Sequence, residues 1–233
     1  MNIFLLIQQT TAAVENEGIA SEEISKQTMD IWELLKNGGP IMIVLGVLSV
    51  IAVAIFFERL MILRKSSQDD TNFMNRIKDY IHDGKIDSAL TLCQSSDYPI
   101  ARMIEKGITR IGRPLNDVNT AIENVGNLEI TRLEKGLPIL ASIAGGAPMI
   151  GFLGTVIGMI ISFWEMSNAK NGIMVDQLAG GIYTALVTTV GGLIVGIVAY
   201  FANNLLITRV ERIVFKMQAR TMEFMDILNE PAR

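Results

Sequence analysis

Three long intervals of the chain carry no charged residue. There are 21 residues between Lys36 and Glu58, 29 between Lys135 and Glu165, and 32 between Asp176 and Arg209. A helix rises 1.5 Å per residue, so about 20 apolar residues cross a hydrocarbon core of ~30 Å. Each interval meets that length, and the pattern predicts membrane-crossing helices over 40–57, 137–163 and 182–206. Pro40 follows Gly38 and Gly39 at a first-turn position, where its missing N–H leaves nothing unsatisfied. The other reading is three core helices of a large soluble protein, but too few further elements remain to cover them.

The stretches between these intervals read as shorter helices. Residues 72–83 place Phe73, Ile77, Tyr80 and Ile81 at helical spacing, and Gly84 ends the piece. Asp87 or Ser88 is the predicted cap of a second piece running through Cys93. Pro99 opens a third, Ile100 to Ile111, and Gly112-Arg113-Pro114 breaks the chain before a fourth from about Leu115. That fourth piece carries Val118, Ile122, Val125, Leu128 and Leu133 and is expected to run on into the second span. Beyond Leu206 the helical pattern continues, with Val210, Ile213, Val214, Met217, Met222 and Met225 on one side. No strand pattern of useful length occurs, and the charges of 58–136 read as a solvated face. The expected fold is an all-α membrane protein: three transmembrane helices, with long helical extensions forming a small bundle from 58–136 and the tail 207–233.

Charge then sets an expected orientation. Lys and Arg number 2 in residues 1–39, 12 in 58–136, 1 in 164–181 and 5 in 207–233. By the positive-inside rule, 58–136 and the tail are cytoplasmic, while the N-terminus and the short 164–181 loop lie outside, which in a bacterial inner membrane is the periplasmic side. Within the outer segment, residues 30–36 put Ile31, Leu34 and Leu35 on one face with Trp32 at its boundary, which predicts an interfacial helix. The first residues, MNIFLLI, are short and lack a basic leader, which argues against a cleaved signal peptide.

Composition narrows the chemistry. Half of the residues are hydrophobic and only 19% are charged, against about a quarter charged in soluble chains. A net charge of −4 argues against nucleic acid as partner. One Cys and one His exclude a disulfide framework and a zinc cluster of the usual spacing. His82 lies at a polar helix end and reads as exposed, whereas Cys93, beside Leu90 and Leu92, reads as a buried inert thiol. No phosphate-cradling, dinucleotide, zinc-protease or nucleophile-elbow motif occurs, so neither an enzyme nor a cofactor or metal site is expected.

The second and third spans are rich in small residues. Pro148, Gly151, Thr155, Gly158 and Ser162 step by three or four, as do Ala185, Thr189, Gly192, Gly196, Ala199 and Asn203. Gly154/Gly158 and Gly192/Gly196 each form GxxxG, which lets helix backbones approach closely in lipid. Such faces either close on each other within one chain or join copies of it; two of them on a thin three-span protein favour a homo-oligomer. No Asp, Glu, Lys, Arg or His lies in any span, so the chain by itself holds no group that binds and releases a proton at membrane depth. Its polar content there is hydroxyls and amides, including Ser142, Thr155, Ser162, Thr184, Thr188, Thr189, Asn203 and Asn204. A membrane threonine commonly just bonds its own helix. Thr155 and Thr189 stand out because they sit in the small-residue stripes near mid-span, where a hydroxyl can serve water or a carboxylate from another chain.

Residues 143–163, IAGGAPMIGFLGTVIGMIISF, followed by 180–200, GGIYTALVTTVGGLIVGIVAY, closely resemble the ExbB/TolQ/MotA proton-channel family, nearest its ExbB branch. Residues 32–60 look like its first span and residues 84–114 like its cytoplasmic helical repeat, so the likeness covers roughly Asp30 to Met225. The resemblance implies a bacterial inner-membrane subunit. Its homopentamer surrounds a dimer of a single-span ExbD-like partner that supplies a membrane aspartate. Proton flow would then drive a TonB-like protein that energises outer-membrane transport of iron complexes or vitamin B12. Thr155 and Thr189 resemble the family's two pore-lining threonines. Where many relatives carry Glu, this chain has Thr184, so Thr184 and the neighbouring Thr188 are further proton-path candidates. Within the family a TolQ-like role in outer-membrane constriction is the alternative; outside it, a non-conducting membrane scaffold.

Overall fold

The computed structural model describes residues 38–67, 71–168 and 175–229, and every regular element among them is helical. The predicted interfacial helix at 30–36 lies outside the described residues, as do 169–174 of the predicted outer loop. In chain order the helices are α1 (Gly39–Ser66), α2 (Thr71–His82), α3 (Ile86–Gln94), α4 (Pro99–Ile108), α5 (Leu115–Glu134), α6 (Leu137–Asn168) and α7 (Val175–Asn229). Stretches long and apolar enough to cross a membrane lie in α1, α6 and α7. Large side chains stand out along all three, among them Val50 at 69% exposure, Phe152 at 65% and Phe201 at 68%. Apolar surface on that scale is stable against lipid or another chain, not water.

Helices α6 and α7 pack side by side, and α1 lies along α7, where Met42 and Leu45 meet Gly191. The helix expected to run unbroken from Leu115 into the second span is instead two. At Lys135 the backbone opens to an extended conformation, and Gly136 takes φ +85°, a region open to Gly at little steric cost. Pro138 then sits at the second position of α6, where its missing N–H is harmless. Ile55 and Arg59 of α1 cover this turn, each 3.4 Å from where a Gly136 Cβ would stand.

Outside the apolar stretches, α2, α4 and α5 pack on the far half of α7, and α3 packs on α2 and α4. Phe73, Met74 and Ile77 of α2, Ala89 and Cys93 of α3, Ile104 and Ile108 of α4, Val118 and Ile122 of α5, and Val210, Ile213 and Met217 of α7 form one core. Phe224 is fully buried near the end of α7, seated on Gly107 and Ile122; a Cβ on Gly107 would come within 2.6 Å of its ring. Continuity of the 55-residue α7 thus ties the membrane seam to this bundle.

Several expectations here need correction. α4 ends at Ile108, three residues early, because Arg110 and Ile111 bond the carbonyls of Gly107 and Ile108 and tighten the chain toward Gly112 at φ +92°. Neither Asp87 nor Ser88 caps α3; Lys85 occupies that position without a side-chain bond. Leu128 and Met222 point outward, and Phe224 and Ile227 take the buried positions of the tail instead. The charges are not all a solvated face either. Glu129 is 3% exposed and accepts bonds of 2.6 Å from both Arg102 and Arg132. Arg102 also reaches Asp97 at 3.2 Å, and Asp97 accepts from Lys65 at 2.6 Å, so a chain of charges links the end of α1 to α4 and α5.

Candidate functional site

The seam between α6 and α7 is built from residues too small to hold the backbones apart. A Cβ on Gly192 would come 2.6 Å from the Ala147 carbonyl oxygen and 2.8 Å from Gly151 Cα; one on Gly151 would come 2.8 Å from the Thr188 carbonyl. Further along, Gly154 faces the Thr188 side chain, Gly158 faces Ala185, and Gly181 faces Ser162. At the other end Gly196 lies against Pro148, whose Cγ would be 2.5 Å from a Gly196 Cβ. Pro148 gives no N–H to the Ala144 carbonyl one turn earlier, and that carbonyl faces the same glycine.

The six helix-packing candidates Pro148, Gly151, Gly154, Gly158, Gly192 and Gly196 therefore all lie in one seam, and the seam is internal to the chain. Each stripe is satisfied by the other within one chain, so the stripes by themselves do not call for a second copy.

Of the four proton-path candidates, two meet at one carbonyl and a third stands one turn away. Thr189 Oγ1 donates across the seam to the Gly151 carbonyl oxygen at 3.2 Å. Thr188, 2% exposed, approaches the same oxygen at 3.4 Å while bonding the Ala185 carbonyl of its own helix at 2.6 Å. Thr155 stands one turn beyond Gly151, half-buried at the seam's edge, and donates to the Phe152 carbonyl at 2.6 Å. Thr184 stands apart. Five residues from Thr189 is about 140° around a helix, which turns Thr184 toward the side where Gly191 meets α1.

Other polar groups extend the row. Ser162 Oγ bonds the Gly158 carbonyl at 2.9 Å, and Asn203 is 8% exposed with an Oδ1 that no described donor reaches. A hydroxyl already donating to a carbonyl keeps lone pairs that accept from water or from a protonated carboxyl. The seam thus offers hydrogen-bond acceptors at membrane depth but, among the described residues, no group that captures a proton. The two candidates read from the bundle fall as expected: His82 is exposed, and Cys93 is a buried free thiol pushed up to about 12 by desolvation and by the nearby Glu105 charge.

The centrality of Thr188 was legible only as a neighbour of Thr189, since nothing in the spacing says which of two adjacent hydroxyls points inward. Glu129 was missed, although it stands seven residues after Ile122 and four before Leu133, on the apolar face of its helix.

Comparison with known proteins points the same way. The MotA/TolQ/ExbB proton channel family matches residues 95–219, more than half of the chain and including all of α6. A putative biopolymer transport protein ExbB homolog of Methanothermobacter thermautotrophicus is 29% identical over 72% of this chain and 60% of its own length. A putative ExbB-like protein of Synechocystis is 28% identical over 71% of this chain and 80% of its own length. The Tol-Pal system protein TolQ of Haemophilus influenzae is 39% identical over 46% of each chain. The match to the Methanothermobacter relative thus leaves well over a third of that protein uncovered.

Proposed function

The chain belongs to the MotA/TolQ/ExbB proton channel family, and from that premise we propose that it is the ExbB-like subunit of an ion-driven motor in a bacterial inner membrane. It is a multi-pass membrane protein of a channel family rather than of an enzyme family. In the proposed assembly five copies surround a dimer of an ExbD-like single-span partner whose aspartate is the titrating group. Thr189, Thr188 and Thr155 offer hydroxyls to that carboxyl and its water, the N-terminus is periplasmic, and α2–α5 are cytoplasmic. A TonB-like protein takes up the motion and energises outer-membrane transport of iron complexes or vitamin B12.

The observation carrying this reading is the pair of threonine hydroxyls, Thr188 and Thr189, at the Gly151 carbonyl, with Thr155 one turn along from Gly151, in two spans without a single charge. A hydrogen-bonding wall without its own acid makes sense when the acid arrives on another chain. Thr184 belongs to the proposal as a site where the family resemblance implies an acid; its direction suits a contact away from Thr188 and Thr189. The test is uptake of an iron complex by cells relying on this chain and its aspartate-bearing partner. Thr155→Val should abolish uptake with insertion and partner co-purification intact; normal uptake would remove Thr155 from the path.

The 39% identity to a TolQ over residues that make up 46% of this chain supports a second reading, in which the same motor drives outer-membrane constriction. Deletion separates the two: iron starvation supports the first, whereas detergent sensitivity with cell chaining supports the second.

A further inference from the structure

Where α1 leaves its apolar stretch, it and α7 enclose a pocket of about 450 Å³ whose wall includes Arg64, Ser67, Thr208, Arg209 and Arg212. Arg209 is the first charge after the 32-residue uncharged interval, so the pocket opens at the depth where a bilayer's headgroups begin. Among the described residues no carboxylate is paired with Arg64, Arg209 or Arg212. The intervening Glu211 lies about 200° around the helix from Arg209. A second groove, of about 340 Å³ and almost wholly apolar, runs between the same two helices past Ala52, Phe56, Val198 and Ala202. Leu205 lines both cavities. One turn separates Leu205 from Arg209, about 6 Å along the axis.

We propose that this continuous feature binds one anionic glycerophospholipid, its phosphate on Arg64, Arg209 and Arg212 and an acyl chain in the α1–α7 groove. Guanidinium groups bind phosphate oxygens through two parallel N–H bonds, and the Ser67 hydroxyl adds a donor, while Thr208 donates to the Asn204 carbonyl of its own helix. Basic pockets between helices at this depth recognise acidic headgroups. A free phosphate would use the arginines but leave the groove unexplained. A partner helix would fill the groove but has no reason to meet three cations at its end. The lipid would brace α1 against α7 where the chain passes from membrane to bundle. The inference rests on the membrane placement of the chain and not on proton conduction, so either can fail alone.

The test uses the full-length protein in nanodiscs of equal parts phosphatidylglycerol and phosphatidylcholine, extracted gently and weighed by native mass spectrometry. We expect wild type to retain phosphatidylglycerol in preference to phosphatidylcholine. The preference should fall about tenfold or more in R209Q/R212Q and fall less in R209K/R212K, which keeps the charge but loses the paired N–H donors. R110Q/R113Q removes the same charge from the bundle surface and should leave it unchanged. A202F, which fills the groove and spares the arginines, should lower retention as well. The proposal is overturned by undiminished retention in R209Q/R212Q, by equal loss in R110Q/R113Q, by displacement of the lipid with inorganic phosphate alone, or by a polypeptide held on the groove instead of lipid.

Discussion

Thr189 Oγ1 lies 3.2 Å from the Gly151 carbonyl oxygen on the facing helix, an oxygen that Thr188 also approaches at 3.4 Å. Interhelical bonds of this kind contribute only about 0.6 kcal/mol to membrane-protein stability on average. Thr189→Val should therefore lower the thermal stability of the purified chain slightly while stopping proton-coupled uptake. Thr189→Ser, which keeps the hydroxyl, should restore most of the uptake. A valine variant that transports normally would show that the bond only packs the seam.

The seam makes a sharper structural prediction. A Cβ on Gly151 or Gly192 meets backbone atoms of the other helix at 2.6–2.8 Å, and backbone cannot swing aside. Gly151→Ala and Gly192→Ala should each destabilise the protein by about 1–3 kcal/mol through forced separation of α6 and α7. Gly145, with nothing within 4 Å of its Cβ position, is the control: Gly145→Ala should be neutral or, by helix propensity, stabilising by up to about 1 kcal/mol. Thermal unfolding in one detergent compares all three, and equal behaviour would contradict the packing described.

Much of this architecture was legible from charge alone. Spans appear wherever about 20 residues pass without one, and Lys135, Glu165, Asp176 and Arg209 bracket the apolar parts of α6 and α7. The threonine cluster was legible too, because small-residue periodicity marks a face that a helix must bury. Which partner buries it was not. A GxxxG stripe fits a facing helix equally well within the chain or across copies, and only the α6–α7 hairpin decides. The break at Gly136 escaped for a related reason: apolar periodicity continues on both sides, and a lone glycine before Leu137-Pro138 signals a turn only once its φ is positive. Buried Glu129 escaped because a carboxylate on an apolar face looks like an interruption until both arginines are brought to it.

Cys93 gives a probe of the bundle. It is 1% exposed, and its thiol is pushed up to about 12, first by burial and then by Glu105. The thiolate is the reacting species, so at neutral pH both access and ionisation oppose alkylation. Maleimide should label the native protein far more slowly than the denatured one, with native labelling tracking the opening of α2–α5. Fast labelling under native conditions would place Cys93 at the surface.

The bridge between Lys65 and Asp97 ties the end of α1 to the start of α4, and its response to acid has a definite sign. The Lys65 hydrogen bond and charge, with Arg102 adding, hold the Asp97 carboxyl below its ordinary value of 3.8. A group with a lower folded pKa binds its proton less readily when folded. Its contribution is therefore present above the unfolded value and lost as pH falls through the folded one. Both partners are exposed, at 68% and 69%, so the contribution is small and shrinks with salt. Across about pH 5 to about pH 3, wild type should lose slightly more stability than Asp97→Asn, since every other carboxylate titrates in both. The difference between the two unfolding curves should vanish at high ionic strength. Parallel curves at low salt would mean that Asp97 carries no folding-linked proton and that α1 is held to the bundle by its apolar contacts alone.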